Sequence, residues 1–151
     1  MPPSPASPAS PASPASVDVV ALAGVLGAAP EVAVAYLFGS RASGSARPDS
    51  DVDVAVLPRA PLAPARRLEL LADLESAAGG RRVDLVLLDD VPPALGVRVV
   101  QEGVVLVRAD EEARVRHHAE VLDRYFDTEP LRRELADALG RRLAEGTFGR
   151  R

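Results

Sequence analysis

Four short apolar runs, each bounded by glycine, proline or charge, limit what this chain can fold into: residues 32–38, 52–57, 82–88 and 104–107. Runs of four to seven such residues rich in valine and leucine read as strands, and their near-continuous apolarity marks strands covered on both faces. The segments between them have helical character. Residues 17–28 offer Val20, Leu22, Val25 and Leu26 to one face, and Pro30 stops them. Residues 64–78 repeat through Leu68, Leu71, Leu74 and Ala78 and end at Gly79-Gly80. Residues 92–101 form a helix stopped near Gly103, and 110–126 and 131–145 form two polar-faced helices separated by Pro130. Helix and strand alternate, which predicts an α/β (α+β) layer structure with a small mixed sheet of about four strands flanked by helices.

The length of 151 residues suits one domain, and 47% hydrophobic residues suffice for its core. Residues 2–16 are only proline, serine and alanine and cannot bury apolar surface, so 1–16 is expected to be a disordered tail. The folded domain is then 17–146, followed by a flexible C-terminus at 147–151. Cysteine is absent, which removes disulfides and thiolate metal sites and fits a reducing, cytoplasmic setting. No apolar run is long enough to span a membrane, and the N-terminus lacks the basic-then-apolar pattern of a secretory signal. Against 22 acidic residues stand 18 basic ones, and the net charge of −4 argues against a broad nucleic-acid-binding face. Every basic residue is arginine, so any cationic phosphate contact comes from a guanidinium, which is suited to bidentate pairing.

The chemistry concentrates between the first two strands. Asp51 and Asp53 are two apart at the start of a strand. Their side chains then share a face, with Cα atoms about 6.6–6.8 Å apart. That spacing lets two carboxylates share one or two hard cations, and oxygen-only ligands suit Mg²⁺. Asp84 lies early in the third strand and reaches the same site if that strand lies beside the second. Three carboxylates around a divalent ion serve phosphoryl transfer, the third taking a proton from an attacking hydroxyl. Gly39-Ser40 ends the first strand and leads into a helix. Backbone N–H groups there face a phosphate, glycine permits close approach, and the serine hydroxyl adds a donor. Arg41 can pair with phosphate oxygens.

Gly39-Ser40, ten residues, then Asp51-Val52-Asp53 is similar to the Gly-Ser-x10-Asp-x-Asp signature of minimal nucleotidyltransferases of the DNA polymerase β superfamily. Tyr36-Leu37-Phe38-Gly39-Ser40-Arg41-Ala42 and Pro48-Asp49-Ser50-Asp51-Val52-Asp53-Val54-Ala55-Val56 extend the likeness. Val83-Asp84-Leu85-Val86 resembles the strand of the family's third carboxylate, and Gln101-Glu102-Gly103-Val104-Val105-Leu106 its short following strand. Arg124-Tyr125-Phe126-Asp127 and the last helix resemble the tail of the MntA antitoxins, so the resemblance covers roughly residues 17–145. It implies a partner, a HepT-like HEPN toxin ribonuclease, to a tyrosine of which AMP is attached from ATP with Mg²⁺. It further implies that Gly39, Ser40 and Arg41 hold the triphosphate, that Asp51, Asp53 and Asp84 bind metal, and that Asp84 assists the attacking hydroxyl. The arginine and downstream His-x-Tyr of the toxins themselves are absent here.

Other conspicuous residues have plainer expectations. Asp49 belongs to a turn after Pro48, and Asp89 and Asp90 cap the helix near Pro92. His117 and His118 occupy a solvated helix face, and Tyr125-Phe126 pack on the sheet. Residues 108–114 place carboxylates at a helix start, and Arg132, Arg133, Arg141, Arg142, Arg150 and Arg151 make the C-terminus basic. Two rival functions stand beside adenylylation of a toxin: nucleotide transfer to a small molecule such as an aminoglycoside, and neutralisation of a toxin by occlusion alone.

Overall fold

The structure, a computed structural model, describes residues 17–146. The expected tail at 1–16 and C-terminus at 147–151 lie outside the described residues. Ten elements follow in order: α1 (Val19–Ala28), β1 (Val32–Phe38), α2 (Ser40–Ser43), β2 (Val52–Pro58), α3 (Pro64–Ala77), β3 (Val83–Leu87), α4 (Pro93–Glu102), β4 (Val104–Arg108), α5 (Glu111–Asp127) and α6 (Glu129–Ala144). The four strands form one mixed sheet in the order β3-β2-β1-β4, with β1 antiparallel to β2 and β4, and β2 parallel to β3. The parallel pair requires a crossover, which α3 supplies.

The two inner strands, β1 and β2, are buried along almost their whole length, because helices cover both their faces. On one face Val52, Val54 and Val56 of β2 and Val83, Leu85 and Leu87 of β3 meet Leu22 and Leu26 of α1 and Leu70 and Leu74 of α3. On the other, Ala55, Leu57, Val34 and Tyr36 meet Val99 of α4, with Leu95 and Ala113 at the margin. Edge strand β3 alternates buried and open positions, and Arg67 of α3 donates to the Leu85 carbonyl at 2.8 Å. Asp18 caps α1 by accepting from Ala21 N at 3.0 Å, and Asp110 caps α5 by accepting from Ala113 N at 2.9 Å. Prolines fill the first turn of α3, α4 and α6, where a missing N–H costs nothing.

Several expectations need correction. Val20 and Leu68 are exposed, because α1 turns Leu22 and Leu26 inward and α3 turns Leu70, Leu74 and Ala78 inward. Asp89 and Asp90 do not cap α4, whose N-cap is Pro92 and has no side-chain hydrogen bond. Pro130 lies inside the first turn of α6 rather than between helices. Phe126 is 60% exposed, and Tyr125 faces α6, where the Arg132 guanidinium lies 3.6 Å above its ring. No residue of α6 is buried, and Leu131, Leu135, Leu139 and Leu143 stand exposed along it. Among the described residues no helix is long and apolar enough to cross a membrane.

Candidate active site

The strand alternation that builds the core also aims the carboxylates. Since Val52, Val54 and Val56 face α1 and α3, Asp53 faces the opposite side with Ala55 and Leu57. Asp84 is the parallel-register partner of Asp53, and Phe38 its antiparallel one. Asp53 therefore sits between the last residue of β1 and a second carboxylate. Asp51 precedes β2 rather than standing in it, is exposed, and pairs with Arg82 at 3.9 Å. Asp84 is also exposed, whereas Asp53 is partly buried.

Gly39 closes the site from the end of β1. It adopts φ 70° and ψ −150°, a conformation available essentially to glycine alone. A Cβ at this position would overlap Asp53 Oδ2. Glycine is thus required twice over: by its backbone, and by the carboxylate lying where a side chain would be. Ser40 opens the four-residue α2, and Gly44 ends it in the left-handed conformation, donating to the Ser40 carbonyl. The following loop is held by Arg41, which donates to the Ser50 carbonyl at 2.6 Å and the Asp51 carbonyl at 3.3 Å. Ser50 Oγ accepts from Arg47 N at 2.9 Å and secures the turn containing Asp49. The ten residues between Gly-Ser and the first aspartate are thus a tethered loop that returns the chain to β2 beside Gly39.

Burial holds the Asp53 carboxyl above the usual carboxylate range, and the neighbouring charges of Asp84 and then Asp51 push it the same way. Arg41 and Arg98 act in the opposite sense. The crowding of negative charge, with oxygen donors only, is what a hard divalent cation relieves, so the donor set fits such an ion in kind. Among the described residues, however, no three His, Cys, Asp or Glu side chains converge closely enough to hold a metal. Asp53 and Asp84 are brought together by register, and Asp51 is turned to Arg82.

Two residues at this sheet face escaped the sequence reading. Arg98 of α4 lines a narrow cleft with Phe38, Gly39, Ala42, Ser43 and Glu102. It arrives there because α4 leads into β4 through Gly103, where a Cβ would lie 3.3 Å from Tyr36 Cβ and would overlap the Val99 carbonyl. His117, expected on a solvated face, is only 4% exposed and its Nε2 has no hydrogen-bond partner. It borders a second cavity at the opposite end of the sheet with Asp89, Arg59 and Glu120. Its own helix spacing was the available signal, since Ala113, His117 and Val121 recur every fourth residue on the inward face of α5.

The polymerase β nucleotidyltransferase family model matches residues 21–112. No curated protein sequence matches the chain. Among solved structures, a chain of a toxin–antitoxin crystal structure with AMP-PNP is similar at 27% identity and a TM-score of 0.70, covering 82% of this chain and 98% of that one. An MntA–HepT toxin–antitoxin structure is similar at 27% identity and a TM-score of 0.61, with 77% and 91% covered. A structure of tri-AMPylated Shewanella oneidensis HEPN toxin in complex with MNT antitoxin is similar at 28% identity and a TM-score of 0.59, with 74% and 85% covered. A Gly-Ser loop closing on a strand aspartate, set in a mixed four-stranded sheet, and a family match spanning more than half the chain lead to one assignment: this chain belongs to the polymerase β nucleotidyltransferase family.

Proposed function

We propose that this chain is an antitoxin of the MntA type that transfers AMP from ATP to a tyrosine of a cognate HEPN toxin and so silences it. The observation that carries the proposal is the likeness along nearly the whole folded domain to MNT chains, one solved with AMP-PNP and one with an AMPylated HEPN toxin. The site geometry supports it. Gly39 ends the strand and Ser40 opens α2, a place where main-chain N–H groups can meet a phosphate, and Asp53 lies directly beside Gly39. In the transfer, the tyrosine oxygen bonds to the α-phosphorus and the α–β phosphoanhydride bond breaks, with pyrophosphate leaving. Asp84, exposed and adjacent to Asp53 in register, accepts the hydroxyl proton. Asp51, Asp53 and Asp84 would hold Mg²⁺, which supplies charge neutralisation at the phosphates. Arg41 holds the loop that delivers Asp51 and Asp53.

The test is intact-mass spectrometry of a candidate HEPN partner after incubation with this chain, ATP and Mg²⁺. The expected result is a gain of one or more AMP units, with the rate lowered at least about a thousandfold by Asp53→Asn. An unmodified partner in a stable complex would replace this reading with neutralisation by occlusion.

A further inference from the structure

We propose that Arg98 is the guanidinium that grips the β- and γ-phosphates of the nucleotide, whereas Arg41 is a loop clamp that leaves the phosphates to it. The inference rests on the reading of the Gly39–Asp53 site as a nucleoside triphosphate site. Arg41 follows the Gly-Ser pair directly and is the obvious phosphate ligand by position, yet it donates to two main-chain carbonyls, those of Ser50 and Asp51. Turning it toward a phosphate would release the loop that brings Asp51 and Asp53 to Gly39. A second nearby guanidinium, Arg82, pairs with Asp51 across the start of β2 and β3. Arg98 differs from both. It comes from α4, on the sheet face that Asp53 occupies, and is the one cation lining the cleft formed by Phe38, Gly39, Ala42 and Ser43 among the described residues.

The partner seen for Arg98 is Glu102, one helical turn further on, at 3.7 Å with both side chains largely exposed. An ion pair that exposed contributes at most about 1 kcal/mol and exchanges readily for a phosphate. A phosphate offers the planar fork two parallel acceptors, which a single long contact to Glu102 does not. Arg98 is close enough for its charge to act on the Asp53 carboxyl, against Asp84 and Asp51. A guanidinium at this place therefore faces both the negative cluster and the glycine turn, and the outer phosphates are the part of the nucleotide that needs it. AMP, which lacks them, would not engage it.

The experiment is calorimetric titration of ATP, ADP and AMP, with Mg²⁺ present, into the full chain and its Arg98→Ala, Arg98→Lys and Arg41→Ala variants, with unfolding midpoints measured in parallel. Loss of a charge-assisted contact is expected to weaken ATP binding about tenfold to a hundredfold in Arg98→Ala. AMP affinity and the unfolding midpoint are expected to stay unchanged. Arg98→Lys recovers part of the loss, because it restores charge without the fork. Arg41→Ala is expected to lower the unfolding midpoint and to weaken ATP and AMP alike. ATP binding indifferent to Arg98, or an equal loss for ATP and AMP in Arg98→Ala, overturns the assignment while leaving the nucleotide site standing. An unmodified chain that binds no ATP overturns both.

Discussion

The two faces of the sheet are built from the same strands and serve different ends. The face toward α1 and α3 carries only apolar side chains from β2 and β3: Val52, Val54, Val56, Val83, Leu85 and Leu87. The face toward α4 and α5 carries Asp53, Asp84, buried Tyr36 and, from α5, buried His117. Burial raises the pKa of both Asp53 and Tyr36, and Arg114 opposes it at the tyrosine. The lesson is that strand alternation divides labour. One register holds the domain together, and the register one residue over is free to keep groups whose burial is costly. A one-residue slip of β2 would put Asp53 into the α1–α3 core and destroy both.

The comparison is most sharply tested on the apolar face. Leu74 is fully buried between α1, α3 and the sheet, with no polar group of the site near it in the cluster. Leu74→Ala should destabilise the domain by about 2–5 kcal/mol, read from denaturant midpoints. Transfer activity per folded molecule should be unchanged at temperatures where the variant remains folded. A selective loss of activity would show that this face also shapes the site.

Gly39→Ala should do the reverse. This positive-φ conformation costs a side chain about 1–3 kcal/mol, and the new Cβ must displace the Asp53 carboxylate. Displacing by about 1 Å the carboxylate that the proposed transfer uses lowers rates on the order of a hundredfold. Activity should therefore fall much further than the modest drop in unfolding midpoint explains. Equal losses in both would mean that Gly39 is only a turn residue.

These two residues also mark what was legible beforehand. The strands were readable because apolar runs between glycine and proline leave little choice, and all four form the sheet. The core leucines of α3 were legible in part: of the stripe Leu68, Leu71, Leu74 and Ala78, Leu74 and Ala78 are buried and Leu71 packs against the core, whereas Leu68 is exposed and Leu70 is turned inward instead, a choice made by packing against α1. Gly39 and Asp53 were named from spacing, and the Asp84 proximity depended on β3 lying beside β2, which it does. The fate of Arg41 was illegible, since position beside Gly-Ser says nothing about carbonyls nine and ten residues on. Arg98 was illegible for a different reason. Residues roughly sixty apart meet only because β4 pairs with β1 and draws the end of α4 to Gly39.

His117 gives the smallest and most specific test of the face toward α4 and α5. Desolvation holds its imidazole below the ordinary value of 6.5, the Leu88 carbonyl and Asp89 opposing in part. The groups around it are mixed: Asp89 from the β3–α4 loop, Arg59 after β2, and Asp110, Arg116, Glu120 and Arg124 from α5 and its cap. For a base with a depressed folded pKa, the unfolded chain takes up the proton first as pH falls. Stability is therefore intact above 6.5 and declines as pH drops from there toward the folded pKa. Asp53 works with the opposite sign: its raised pKa means that acid relieves a penalty present at neutral pH, in a lower window above 3.8. The expected outcome is a fall of a few degrees in unfolding temperature between pH 7 and about pH 5.5, absent in His117→Leu, whereas Asp53→Asn leaves that slope in place. A slope that survives in His117→Leu would assign the acid sensitivity elsewhere and leave the buried histidine as packing alone. Its disappearance would identify the end of the sheet opposite the carboxylates as the place where protons act on the fold rather than on the reaction.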